Sequence, residues 1–454
     1  MQRNLQNKNL DSAKEKIEIF PYCQDDIAKV STKEGILSRG FNVAELNTSD
    51  KIHVHIRSYV DFLGGYANHG RNVLFKLHDS GKCVVKLTPI KSLIDIDPIT
   101  YSKCNFLTGN PAFQIKDSIF LNIAGPGWNQ EQFIPKDRYS IAWTMTESLM
   151  CHPDMKGWLN NVDEVFAPTF ADIKRFEALD KDLKITHMPL GYDPDLYNKD
   201  VKPAELNQLK GRYVFGVLGS WNKRKGIKNI IRAFCKAFDK YDNVSLLLFC
   251  KYGTRPYDGT KDDKTVSKED PKYWDIKYEF DQYTKDLDKS NMPHITLIDI
   301  PAHEKTLPNI VKRFNCLVGF SMGESTWLPG LEAMAMGIPV IQLESMCSGF
   351  TDYLNKANSY LAGKVEYVDA DDELVKGTSE YYEGQKFAQG DEFELKELMQ
   401  RAYKDRFSEH QSHMIERGLR TVQDYTWDRS TEKLIARLQV IQNEQRILQN
   451  PLPT

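Results

Sequence analysis

The sequence predicts an α/β protein with two doubly wound domains, each built on its own parallel sheet, and three features carry this expectation. Apolar runs of strand length alternate with helical segments through most of the chain, as parallel strands joined by crossover helices require. Residues 198–211, NKDVKPAELNQLKG, are polar and read as a linker, and an apolar strand then restarts the pattern. A length of 454 residues is enough for two separate cores. The expected organisation is an N-terminal arm over 1–50, a first domain over 51–197, the linker over 198–211 and a second domain over 212–427.

Residues 1–50 are polar and weakly patterned. Lys51-Ile-His-Val-His-Ile56 alternates and reads as the first strand, placing His53 and His55 on one side. With no third ligand nearby, these are expected to be ordinary strand histidines rather than a zinc pair. Gly64 and Gly65 precede a helical run, Arg71 to Leu77; a paired glycine there either lets a ligand approach the backbone or simply makes a tight turn. Val84–Leu87, Ser118–Ile123 and Tyr139–Trp143 are further strands, and Asp95-Ile-Asp97 before Pro98 reads as an acidic turn. Trp143-Thr-Met-Thr-Glu147 follows the last of these strands, at the kind of edge where ligands gather in open α/β sheets.

In the second half, Tyr213–Gly219 is a strand, Ser220-Trp-Asn-Lys-Arg-Lys-Gly226 a basic loop and Ile230–Phe238 an amphipathic helix. Val244–Phe249 and His294–Ile300 continue the sheet around a charged, aromatic insert over 253–292, a surface excursion or a partner site. From Asp371 the chain turns acidic and helical, and a last helix runs from Ser430 to about Leu448. The richest stretch is Phe314 to Leu343. The strand Cys316–Phe320 leads into a polar loop, Ser321–Thr326, then a helix opened by Pro329 and closed by Gly337 and Pro339, then the strand Val340–Leu343. A helix start at the carboxyl edge of a parallel sheet offers N–H groups and partial positive charge to an anion. Glu324 and Glu332 flank it with seven residues between them. Carboxylates accept from sugar hydroxyls, so the pair suits a sugar nucleotide, although Glu332 as a helix-start acid and Glu324 as a solvated loop residue fit the same spacing.

Glu324-Ser-Thr-Trp-Leu-Pro-Gly-Leu-Glu332 and the following Ala-Met-Ala-Met-Gly337-Ile-Pro-Val-Ile341 resemble the E-x7-E signature and the EAMAxGxPVI helix of retaining glycosyltransferases of the GT-B fold, family 4 type. The resemblance runs from about Tyr59 to about Trp427, dense in the second half and sparse in the first. It implies two Rossmann-like domains facing a cleft, with the last helix, 430–448, crossing back onto the first domain. The implied reaction moves a sugar from a nucleoside diphosphate sugar to an acceptor hydroxyl with retained configuration and without a metal or other cofactor. Lys225 and Arg224 would hold the diphosphate together with Ser220 and the backbone of Leu328, Gly330 and Leu331. Glu332 would take the ribose, Glu324 the donor sugar, and Gly64, Gly65 and Glu147 the acceptor side. The chain departs from the family in having Ser220 for an arginine, Ser325 and Trp327 for glycines, and Thr144 or Met145 where many members carry a histidine.

With a formal net charge of -3 and no basic stripe interleaved with aromatics, nothing predicts a nucleic-acid footprint, and no nucleic-acid partner is expected. No apolar run nears the roughly 20 residues of a membrane span, so the cytoplasm is the expected compartment. A peripheral membrane contact, the acceptor and the oligomeric state stay open. The eight cysteines show no C-x2-C pair and read as reduced. Two other function classes remain open on the sequence: a silent GT-B fold used as a binding module, and a GT-B sugar-nucleotide epimerase or phosphorylase.

Overall fold

The structure, a computed structural model, describes residues 50–60, 64–91, 97–125, 130–252, 276–299 and 304–449. The arm before residue 50, Asp95 with Ile96, and residues 253–275 of the insert lie outside the described residues.

The first sheet contains β1 (Ile52–Ser58), β2 (Cys83–Pro89), β3 (Ile119–Ile123), β4 (Ser140–Trp143), β5 (Glu164–Ala167) and β6 (Ile185–His187) in the order β2-β1-β3-β4-β5-β6. The second contains β7 (Tyr213–Trp221), β8 (Val244–Tyr252), β9 (His294–Ile298), β10 (Cys316–Val318), β11 (Val340–Leu343) and β12 (Tyr360–Ala362) in the order β12-β11-β10-β7-β8-β9. Neighbouring strands in both sheets run parallel. Strand order therefore reverses between β1 and β3 in the first sheet and between β7 and β10 in the second, the points where open sheets of this kind bind ligands.

In the first domain the helix Gly65–Asp79 lays Val73, Leu74 and Leu77 on Val54 and Ile56 of β1. Its Gly70 lies against the strand end, where a Cβ would sit 2.1 Å from Ser58 Oγ. The helix Trp427–Gln449 closes the same core with Leu434, Leu438 and Ile441, so the chain's last helix does return to the first domain. His53 and His55 are occupied strand histidines: Gln114 N–H donates to His53 Nδ1 at 2.9 Å, and His55 Nε2 lies 2.8 Å from Thr88 Oγ1. Asp97 caps the helix Pro98–Thr108 by accepting from the N–H groups of Ile99 and Thr100.

Three strand features escape a reading by periodicity. Strands β6 and β12 have three residues each, too few to show a period. The antiparallel pair β13 (Val365–Asp369) and β14 (Lys386–Gly390) brackets the start of the acidic helical region, and the apolar face of β13, Val365 and Tyr367, is short and only half-buried against the core.

Glu164 fastens the returning helix. Its buried carboxylate accepts from Arg437 Nε at 2.9 Å and Nη2 at 2.8 Å, from Tyr139 Oη at 2.8 Å and from Thr186 Oγ1. Burial opposes ionisation, and hydrogen bonds from Arg437, Thr186 and Tyr139 overcome it, holding the group below the usual carboxylate range. Arg437→Met strands a buried carboxylate, so the expected loss is about 3 kcal/mol in chemical denaturation, with Glu164→Gln in the same chain restoring part of it.

Candidate active site

The second domain's reversal point is shaped by two loops that need glycine. After β7, Asn222 accepts from Lys225 N–H at 3.2 Å and fixes the turn Lys223–Lys225. Gly226 then adopts φ +67°, and a Cβ there would lie 2.1 Å from Phe320 carbonyl oxygen. The carbonyl of Arg224 accepts from Met322 N–H at 2.7 Å, stitching the loop after β7 to the loop after β10. Gly323 meets the first domain directly, since a Cβ there would fall 1.7 Å from Glu147 carbonyl oxygen.

These contacts assemble four charged side chains from both domains. Glu324 Oε1 pairs with Lys225 Nζ and lies 3.3 Å from Arg224 Nη1. Arg224 Nη2 reaches Glu147 Oε1 at 3.1 Å, and Tyr382 donates its hydroxyl to Glu147 Oε2. Burial pushes the Glu324 carboxyl up, but the charges of Lys225 and Arg224 prevail and hold it at about 2. Burial likewise disfavours the Arg224 cation, and Glu147 and Glu324 keep it firmly charged. Arg224 Nε and Thr326 Oγ1 are buried without a hydrogen-bond partner among the described residues.

The helix Leu328–Ala335 starts beside this cluster. Trp327, standing where the family pattern has glycine, takes the left-handed backbone conformation at φ +52° and ψ 65°. An aromatic residue adopts this region only when its surroundings over-determine it. Here Tyr353 Oη donates to the Trp327 carbonyl at 2.8 Å and the indole packs on Phe350. Gly330 is required below it, because a Cβ would come within 2.3 Å of the indole, and its N–H donates to the Trp327 carbonyl at 2.9 Å. Leu328 packs against the cores of both domains, while Leu331 is buried within the second. Ser325 is occupied too: its hydroxyl donates to Asp172 of the first domain at 2.6 Å.

Glu332, in the same helix, is buried beside Tyr197 and Glu304. Burial, then the nearby Glu304 charge, raises its carboxyl to about 8 against a hydrogen bond from Tyr197. Glu304 also meets Arg71 of the first domain at 3.4 Å. Ser220 lies near the end of β7, just past Gly219, and among the described residues bonds to none of the four clustered side chains. Gly64 is the extended residue before the helix Gly65–Asp79, and a Cβ on Gly65 would enter open space. Their neighbour Tyr66 is half-buried with its hydroxyl inside, and desolvation with the Glu147 charge raises its phenol.

The structure thus brings Glu324, Lys225, Arg224 and Glu147 together, buries Glu332 beside Tyr197 in the helix that follows and leaves Ser220 apart. Sequence reasoning missed Tyr382, Tyr197, Glu304 and Asp172, all reached across long separations. Only Asp172 had a local signal, its i,i+3 spacing to Arg175, which it meets at 3.2 Å. Among the described residues no group of acidic, histidine or cysteine side chains could hold a metal ion, and no helix is long and apolar enough to cross a membrane.

No family model and no curated protein matches this chain. Solved structures do. A trehalose 6-phosphate synthase from Burkholderia multivorans aligns with TM-score 0.60 at 12% identity, over 89% of this chain and 99% of the other. Sucrose-phosphate synthase from Thermosynechococcus elongatus gives 0.57 at 15%, over 88% and 99%. Anabaena HepE, solved in complex with UDP, gives 0.57 at 12%, over 86% and 100%. The likeness spans both sheets, and the chain has the GT-B fold.

Proposed function

We propose that the chain is a retaining glycosyltransferase of family 4 type, a hexosyltransferase that draws on a nucleoside diphosphate sugar in the cytoplasm. One observation carries the reading: Lys225, Arg224 and Glu324 converge at the second sheet's reversal point, beside a helix start, with Arg224 Nε and Thr326 Oγ1 left unsatisfied. Donors that converge on one spot suit the oxygens of a diphosphate. HepE, of the same fold, was solved with UDP.

In this reading the bond from the anomeric carbon to the diphosphate breaks, and an acceptor oxygen takes its place on the same face. Charge growing on the diphosphate is stabilised by Lys225, Arg224 and N–H groups near Leu328 and Leu331. Glu324, kept ionised, accepts from hydroxyls of the donor sugar, and Glu332 from the ribose. Glu147 faces the acceptor side, with Gly64 and Gly65 opening it. No step requires a metal. A silent binding module is the second reading, favoured by the pairing of Arg224 with two carboxylates, which leaves little charge for a diphosphate.

A thermal-shift panel of UDP-, GDP- and ADP-sugars separates the two. One base class should raise Tm by about 2–4 °C at a hundredfold excess over Kd, and a flat panel would favour the binding module. Glu324→Gln should slow donor hydrolysis roughly 100-fold, whereas unchanged turnover removes Glu324 from the mechanism. Donor binding should also respond to Glu332. If the ribose is accepted by its ionised form, binding releases a proton, and affinity rises with pH, at most about tenfold per unit, until the free group's value of about 8. Calorimetry from pH 6 to 9 should show this rise, and Glu332→Gln should abolish it; the same slope in the variant would assign the proton elsewhere.

A further inference from the structure

The first sheet has a reversal point of its own, between β1 and β3, and Arg57 and Asn122 face each other across it as register partners one residue from the strand ends. Arg57 Nη1 donates to Asn122 Oδ1 and to Gln130 Oε1, each at 3.0 Å, and its guanidinium lies 3.8 Å from the centre of the Phe133 ring. Arg57 is 7% exposed, and among the described residues no carboxylate pairs with it. Asn122 is fully buried, and its Nδ2 has no hydrogen-bond partner among the described residues.

The chemistry of this pocket is one-sided. A guanidinium only donates, so it takes the oxygens of both amides and leaves their NH2 groups as donors. The Asn122 NH2 group is then left buried beside the guanidinium with no acceptor bonded to it among the described residues, and Tyr59 is a further titratable group near enough to act on the Arg57 charge. A buried cation in such company is costly unless an anion completes it. The pocket also borders the second domain: Glu131, between Gln130 and Phe133, is close enough to Tyr381 for its charge to be felt, and the adjacent Tyr382 bonds Glu147.

We propose that this pocket binds an oxyanion carried by the sugar acceptor, a phosphate or a carboxylate, so that the enzyme glycosylates an acidic acceptor rather than a neutral one. The proposal names the acceptor class of the glycosyl-transfer reading above and rests on it. Arg57 is a specificity residue here, and its hydrogen bonds go to Asn122 and Gln130 rather than to the side chains assigned to the donor diphosphate.

Binding calorimetry tests it independently of turnover, using full-length protein with hexose 6-phosphates, hexuronates, neutral hexoses and vesicles containing phosphatidylinositol. Wild type should bind at least one soluble phosphate or carboxylate sugar, or the anionic vesicles, about tenfold or more tightly than the neutral counterpart. The arm that responds tells a free sugar acid from a lipid headgroup. Arg57→Gln should remove that preference, and Arg57→Lys should keep part of it. Melting temperature and response to the donor panel should be unchanged. Asn122→Leu, which keeps the charge, should weaken the same ligand and serves if Arg57→Gln fails to fold. Equal binding of acidic and neutral sugars, or a preference that survives both Arg57→Gln and Asn122→Leu, overturns the proposal. A flat donor panel with acidic-sugar binding intact would overturn the transfer reading and leave the pocket standing.

Discussion

Arg224 holds the two halves of this protein together at the point where chemistry would occur. Its guanidinium is buried between Glu324 of its own domain and Glu147 of the other. Removing one partner from such a pair costs about 3–5 kcal/mol, because the remaining charge is left in a poor solvent. With Lys225 the cluster holds two cations and two carboxylates, a balanced set. A diphosphate bound here, as the proposed function requires, would bring at least two more negative charges, so one carboxylate would have to yield. Glu147 is the more accessible of the two, its side chain 24% exposed against 5% for Glu324. In the proposed function this salt bridge, which joins the two domains, would be exchanged for a bond from Arg224 to the diphosphate, with Glu147 displaced.

The scaffold around the cluster brings its loops together. Reversal of strand order in each sheet sends consecutive loops to opposite sides and opens a crevice at the carboxyl ends of the strands. Gly226 and Gly323 let those loops close to contact distance, and Trp327 supplies through an unusual backbone conformation the turn that glycine would make freely. The departures from the family pattern thus have structural counterparts: Trp327 keeps a left-handed turn, and Ser325 trades flexibility for a bond to Asp172 across the domain boundary. The reason for Ser220 does not emerge from its contacts.

Much of this was legible in the sequence because it is local. Apolar runs marked most strands, and Pro329 with Gly337 marked the helix that carries Glu332, since capping and strand burial act within a few residues. The pairing of Arg224 with Glu147 and the bond from Tyr382 were illegible for the opposite reason. They join positions 77 and 235 residues apart along the chain, respectively from Glu147 to Arg224 and from Glu147 to Tyr382, and no local period encodes such contacts. The raised carboxyl of Glu332 was equally hidden, because burial and Glu304, not neighbours in sequence, produce it.

The most direct test of the exchange at Arg224 is a crystal structure with a bound nucleoside diphosphate. The account predicts diphosphate oxygens about 3 Å from Arg224 and Lys225, with Glu147 released from the guanidinium and Glu324 still in place. Nucleotide bound elsewhere, or bound here with the Glu147–Arg224 bridge intact, would contradict it.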